Sequence, residues 1–168
     1  VVIKTTPVKN QGRSPLCWAY AMLATIESER LMMGDSLELS PDYYARMLLS
    51  DEARTYFFSR RQGQISLRGT SSMLLNLLST YGAQSYTAYH NERTTNYNVL
   101  ARKARRLADA SPSLAKMEER MARLLDDYIG ILPRRVFMHG AAYTPAQFAE
   151  SVCLPGDYLS LTSFTHHP

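Results

Sequence analysis

Residues 11–20 have the sequence QGRSPLCWAY, in which Cys17 stands at the start of an alanine-rich, helix-like segment. A cysteine at a helix N-terminus lies near the positive end of the helix dipole, which favours the reactive thiolate. Gln11 lies six residues before Cys17, and the intervening Gly12 and Pro15 are typical of a turn. Such a turn can bring the glutamine amide beside the sulfur, where it would form an oxyanion hole with the backbone N–H of Cys17.

This stretch resembles the papain-like cysteine peptidases. The resemblance rests on residues 8–12 (VKNQG), residues 17–20 (CWAY) and residues 39–40 (LS), since a cysteine followed by an aromatic residue is part of that family's signature. Ser14 stands where the family has a disulfide-bonded cysteine, and Pro15 stands where it has a glycine. These two departures indicate the branch of bleomycin hydrolase and aminopeptidase C, which lacks such disulfides.

Two later segments extend the resemblance. Gly69 corresponds to one glycine of the family's substrate-binding pair, and Arg68 replaces the other. Residues 143–148 (YTPAQF) are similar to the segment that follows the helical insertion of that branch. The resemblance therefore implies that Gly69 and Arg68 lie at the substrate-binding cleft, together with Trp18, which we expect to pack on the nucleophile helix.

The resemblance implies peptide-bond hydrolysis through an acyl-thioester on Cys17, with Gln11 donating to the oxyanion. A histidine must accept the thiol proton, and an asparagine must orient that histidine. The sequence context of this base is missing around every histidine of the chain, namely His90, His139, His166 and His167. After His139, a strand would be interrupted at once by residues 143–145 (YTP), so we expect no strand there. The catalytic histidine and asparagine are therefore expected in a C-terminal segment of the same precursor, a required partner besides the peptide substrate.

The sequence predicts an α+β fold that is mainly helical. Apolar spacing and capping residues predict helices over residues 17–33, from Ser40-Pro41, from Thr70 or Ser71 to before Gly82, over about 95–109 and 112–129, and from Thr144-Pro145 to Val152. Residues 59–69 are predicted to form a surface loop. Apolar and polar residues alternate over residues 158–164, which predicts a strand.

The resemblance divides the chain into three parts. Residues 1–91 would form the nucleophile-bearing helical lobe, and residues 92–135 a helical insertion or arm. Residues 136–168 would begin the β lobe, so the fold would be papain-like but mainly its helical lobe. Aminopeptidase and endopeptidase activity both stay open, as does assembly into a homo-oligomer.

Composition narrows the remaining questions. The chain is 45% hydrophobic and 20% charged, which is ordinary for a globular protein. It contains no apolar run of about 18 residues, so no membrane span is predicted. Two cysteines cannot form a disulfide framework, and we interpret Cys153 as structural or incidental. The histidines and cysteines lack the spacing of metal ligands, so neither a metal nor a cofactor is expected. The chain starts at Val1 without a signal peptide, which leaves a cytoplasmic location or export after N-terminal processing.

Two other functions stay open. An inactive papain-like homologue would keep the cleft and act as a peptide-binding module. A nucleic-acid-binding protein would instead use the basic helices of residues 95–135, which carry much of the net charge of +4. Acidic residues are interspersed among these basic ones, however, and mixed charges at helical spacing are more typical of a solvated helix face.

Overall fold

The computed structural model describes residues 2–91, 95–154 and 156–158. Within them the chain is mainly helical, with one small antiparallel sheet of two strands, which confirms the α+β class. The elements are α1 (Cys17–Met32), α2 (Pro41–Phe58), α3 (Ser71–Tyr81), α4 (Tyr97–Asp109), α5 (Leu114–Tyr128), β1 (Val136–Met138), β2 (Ala141–Tyr143) and α6 (Pro145–Val152).

Side-chain caps set the starts of five of these helices. In each, a hydroxyl or amide oxygen accepts a hydrogen bond from a backbone N–H of the first turn, which stabilises a helix by about 1 kcal/mol. The capping residues are Ser40, Thr70, Asn96, Ser113 and Thr144. At α6, Gln147 also accepts from the Thr144 backbone N–H, which completes a capping box. The helix starts predicted at Ser40, Thr70 and Thr144 are therefore confirmed, and those of α4 and α5 are each shifted by two residues.

The core lies around α2, which packs against α1, α3, α4 and α5. From α1, the apolar side chains Trp18, Met22 and Ile26 are buried in it. The helix predicted over residues 17–33 ends at Met32, and the Met33 side chain is 66% exposed. One hydrophobic cluster includes residues from all three predicted parts of the chain. The division into lobe, insertion and β-lobe start stays a prediction.

Arg46 of α2 ties the end of α5 to this core. Its guanidinium is nearly buried and donates to the Asp126 carboxylate at 2.7 Å, the Gly130 carbonyl at 2.9 Å and the Tyr89 hydroxyl at 3.1 Å. Three acceptors on one planar guanidinium offset the cost of removing its charge from water. The α4–α5 pair is therefore anchored on α2 by polar contacts as well as by apolar packing.

The expectation that no strand follows His139 is wrong. β1 and β2 form a hairpin, in which Val136 pairs with Tyr143 and Met138 with Ala141. His139 and Gly140 make the two-residue turn with φ values of 49° and 78°. Two successive positive φ angles match the tight turn that suits the twist of paired strands, so Thr144-Pro145 ends β2 and does not prevent it.

Two sequence predictions fall partly or wholly outside the described residues. The strand expected over residues 158–164 is described only at Tyr158, and His166 and His167 lie beyond the described part of the chain.

The loop predicted over residues 59–69 is confirmed as irregular, but it is not entirely a surface loop, since Ile65 and Leu67 are buried.

Gly82 provides a test of how α3 meets α6. It has a φ of +85°, and a Cβ atom there would lie 2.2 Å from the carbonyl carbon of Pro145. We expect Gly82→Ala to lower the free energy of unfolding by at least about 3 kcal/mol, because backbone of α6 must shift to make room. Urea denaturation followed by circular dichroism measures the loss.

Gly63 is the matched control, with a φ of +100° and nothing within 4 Å of the added Cβ. Gly63→Ala should cost only about 1 kcal/mol, the strain of a left-handed alanine. Equal losses in the two variants would show that the close approach of α3 and α6 does not limit residue 82.

Candidate active site

Cys17 is the first residue of α1, and its side chain is exposed. The preceding Leu16 provides no side-chain cap, which distinguishes α1 from the other helices of the described chain. Leu16 is instead fully buried, and its carbonyl accepts from the N–H groups of Ala19 and Tyr20. Within the described residues the Cys17 N–H makes no hydrogen bond. An N–H donor and the positive end of the helix dipole therefore lie beside an exposed thiol.

Gln11 lies in the turn before this helix. The Ser14 N–H donates to the Gln11 carbonyl at 3.1 Å, and Gly12 has a φ of +58° that a glycine adopts readily. The Gln11 Nε2 donates one hydrogen to the Ser14 carbonyl at 3.3 Å. A primary amide has a second N–H, which can donate to a ligand.

Cys17 and Gln11 line the same cavity, which has a volume of about 440 Å³. Its walls are residues 5–9, one side of α1 from Cys17 to Ser28, and the residues Leu39 and Pro41. Among the described residues no histidine lines it. The structure thus brings together the predicted nucleophile and the predicted oxyanion donor, without a general base.

Trp18, Gly69 and Arg68 lie elsewhere. The Trp18 indole points into the core and donates to the Leu67 carbonyl at 2.8 Å. A Cβ atom on Gly69 would lie 2.7 Å from the Trp18 ring and 2.9 Å from the Met73 sulfur. Arg68 is exposed, and none of these three residues lines the cavity of Cys17. Trp18 therefore fixes the 67–69 segment against the start of α1, and a packing constraint explains the glycine at position 69.

The cavity floor contains a carboxylate that the sequence analysis missed. Glu27 of α1 is 1% exposed and accepts hydrogen bonds from the Lys9 ammonium, the Thr6 hydroxyl and the Leu39 N–H at distances of 2.6–2.7 Å. One signal in the sequence could have identified it. Residue 27 follows Ala19 and Leu23 at intervals of four, so a charged side chain falls on the buried stripe of the helix.

A second, more polar cavity of about 530 Å³ adjoins the first, and Gln11 and Tyr20 line both. Its buried Asp42 carboxylate accepts from the Tyr97 hydroxyl and pairs with His90 Nδ1 at 2.9 Å. Burial and the Asp42 charge raise the pKa of Tyr20 to about 12. Tyr20 is therefore protonated at neutral pH, and it belongs to the lining of both cavities.

His90 and His139 are the two histidines in the described chain. His90 is held away from the Cys17 cavity, since its ring stacks on Tyr86 and its Nε2 lies 2.8 Å from the Tyr86 hydroxyl. His139 is exposed in the hairpin turn. Neither occupies the position of a base beside Cys17.

The basic helices contain several internal charge contacts. The Glu119 carboxylate accepts from both Lys116 and Arg123, and the Arg105 guanidinium lies over the Tyr56 ring, 5.5 Å from its centroid. These contacts favour a solvated helix face over a nucleic-acid interface.

No protein-family model matches this chain, and no curated protein matches it. In the described part of the chain, no helix is both long enough and apolar enough to span a membrane. Within residues 2–91, 95–154 and 156–158, no three His, Cys, Asp or Glu side chains are grouped closely enough to hold a metal ion.

The two thiols should differ sharply in reactivity. Cys17 is exposed, whereas Cys153 is 8% exposed, and its pKa is raised by burial and by the charges of Asp157 and Glu29. Because a raised pKa lowers the fraction of thiolate at neutral pH, Cys153 should react only at more alkaline pH. We expect iodoacetamide at pH 7 to label Cys17 at least about tenfold faster, as measured by peptide mass spectrometry.

The matched variants are Cys17→Ser, which should abolish rapid labelling, and Cys153→Ser, which should leave it unchanged. Equal labelling rates for the two thiols in the folded protein would contradict a selectively accessible Cys17.

Proposed function

We propose that this chain is the nucleophile-bearing part of a papain-like cysteine peptidase of the bleomycin hydrolase and aminopeptidase C branch. One observation carries the proposal: the Cys17 thiol and the Gln11 amide line the same open cavity at an uncapped helix N-terminus. Several of the residues that carry the resemblance line this cavity: Val8, Lys9, Gln11, Cys17, Tyr20 and Leu39.

In the proposed reaction, the Cys17 thiolate attacks the carbonyl carbon of a peptide bond. The carbonyl oxygen becomes an oxyanion, which accepts from the Gln11 amide and the Cys17 N–H. Collapse of this tetrahedral intermediate expels the amine, protonated by the general acid, and leaves an acyl-thioester on Cys17. Water then attacks the thioester, which releases the carboxylic acid product and regenerates the thiol.

The general base is proposed to lie outside the described residues, because neither His90 nor His139 lines the Cys17 cavity. A segment that follows this chain in the same precursor would supply a histidine and an asparagine. The same observation supports a second candidate function, an inactive homologue that binds peptides in the cavity. Hydrolysis of fluorogenic peptides by the full-length gene product, lost in Cys17→Ala, separates the two.

The oxyanion role of Gln11 predicts a specific kinetic effect. Gln11→Ala should lower kcat by about a hundredfold or more with little change in KM, because the amide stabilises charge that develops in the transition state. Steady-state kinetics on a fluorogenic peptide measure both constants. Gln64→Ala, in an exposed loop, is the control and should keep wild-type kinetics. An unchanged kcat in Gln11→Ala would remove Gln11 from the mechanism.

The position of the base can be tested with histidine substitutions. His90→Ala and His139→Ala should each keep kcat within about threefold of wild type, since loss of a general base costs at least about a hundredfold. The assay uses the full-length gene product and the same peptide. A hundredfold loss in either variant, with the fold intact by circular dichroism, would identify that histidine as the base.

A further inference from the structure

The segment that leads to Gln11 has little of its own to hold it in place. Residues 2–10 form no helix or strand, and the side chains of Ile3 and Val8 are 67% and 100% exposed. Burial of apolar surface therefore contributes little to the order of this segment. Polar contacts must fix it if Gln11 is to stay beside Cys17.

These polar contacts converge on one carboxylate. Among the described residues 2–10, every hydrogen bond to a residue beyond the turn at Gly12 ends on Glu27. The Lys9 ammonium lies 2.6 and 2.7 Å from the two carboxylate oxygens, and the Thr6 hydroxyl donates at 2.6 Å. Charge-assisted hydrogen bonds of this length are the strongest that side chains make.

Glu27 is itself held rigidly. It lies on α1, ten residues after Cys17, and accepts from the Leu39 N–H at 2.7 Å. Its 1% exposure excludes water from competing for the carboxylate. The helix that presents the nucleophile therefore also presents the anchor for the segment that carries the oxyanion donor.

We propose that Glu27 is a positioning residue that holds Lys9, and through Lys9 holds the Gln11 amide at the oxyanion position beside Cys17. This inference rests on the proposed peptidase function. Lys9 is two residues before Gln11, so a displacement of Lys9 is passed along the backbone to the amide. A misplacement of about 1 Å at a catalytic group can cost a hundredfold in rate.

The main variant is Glu27→Gln in the full-length gene product. A glutamine keeps the shape but has one acceptor oxygen, and its NH₂ group opposes the donors of Lys9 and Leu39. We expect kcat to fall about tenfold or more while KM changes less than about twofold, because the lost interaction acts on the transition state. Lys9→Met removes the same contact from the exposed segment, so it should show the same split and provides a second test if Glu27→Gln fails to fold.

Glu38→Gln is the matched control. Glu38 also approaches the Lys9 ammonium, at 3.5 Å, but its side chain is 35% exposed. A partly exposed ion pair holds a lysine weakly, so this variant should keep kcat within about twofold of wild type.

A double-mutant cycle separates positioning from a general loss of structure. In a Gln11→Ala background the amide is absent, so Glu27→Gln or Lys9→Met should cause less than about a twofold further fall in kcat. A merely structural role would lower kcat equally in both backgrounds. Equal falls in both backgrounds, or a wild-type kcat in the single variants, would overturn the proposal.

Failure of this inference is distinguishable from failure of the proposed function. If Cys17→Ala keeps full activity, the peptidase proposal is wrong and the positioning role falls with it. If Cys17→Ala is inactive but Glu27→Gln and Lys9→Met keep wild-type kcat, only the role of Glu27 is wrong.

Discussion

The buried carboxylate of Glu27 is the interaction on which the arrangement of this chain depends. An ionised carboxylate taken from water costs several kcal/mol unless its lone pairs are satisfied. Here the donors come from Thr6 and Lys9 of the N-terminal segment and from Leu39 beyond α1. The side chain can therefore be buried only when two other stretches of chain, separated by 12 to 21 residues from Glu27, are in place together.

The contact at Leu39 extends this arrangement into the centre of the molecule. Leu39 pairs with Ser85 in an isolated antiparallel bridge, and Ser40 both caps α2 and donates its N–H to the Gln84 carbonyl at 3.0 Å. The orientation of α2 is thus linked to the same short segment that closes over Glu27. Since α2 contacts α1, α3, α4 and α5, a local polar cluster at the cavity floor is continuous with the packing of the whole helical core.

The helices could be predicted from the sequence because their signals are local. Ser40-Pro41 and Thr144-Pro145 supply a capping oxygen and a proline within two residues, and both helices begin there. The hairpin was missed because its strands have only three residues each and its turn places a non-glycine residue, His139, at a positive φ. So short a pattern has no periodicity to detect.

The distinction between local signals and contacts that are distant in the sequence also applies to the site. Cys17 and Gln11 could be predicted to lie together because six residues and a turn connect them. The helical spacing indicates that Glu27 is buried, but the partners of Glu27, Tyr20 and Asp42 could not be predicted, since they lie far away in the sequence. Asp42, for example, lies in the first turn of α2, where the sequence alone indicates only a favourable charge at a helix N-terminus. Only the folded chain shows that it is buried beneath Tyr97 and His90.

The start of α1 shows how the proposed chemistry and local stability compete at one position. A serine or aspartate before Cys17 would cap the helix and stabilise it by about 1 kcal/mol, as the caps of the other five helices do. Each of those caps accepts the N–H three residues on, so a cap at position 16 would bind the Ala19 N–H and leave that of Cys17 free. An aspartate there would nevertheless place a negative charge beside Cys17 and oppose formation of the thiolate. Leu16 instead fixes the helix start by burial and adds no charge beside the thiol.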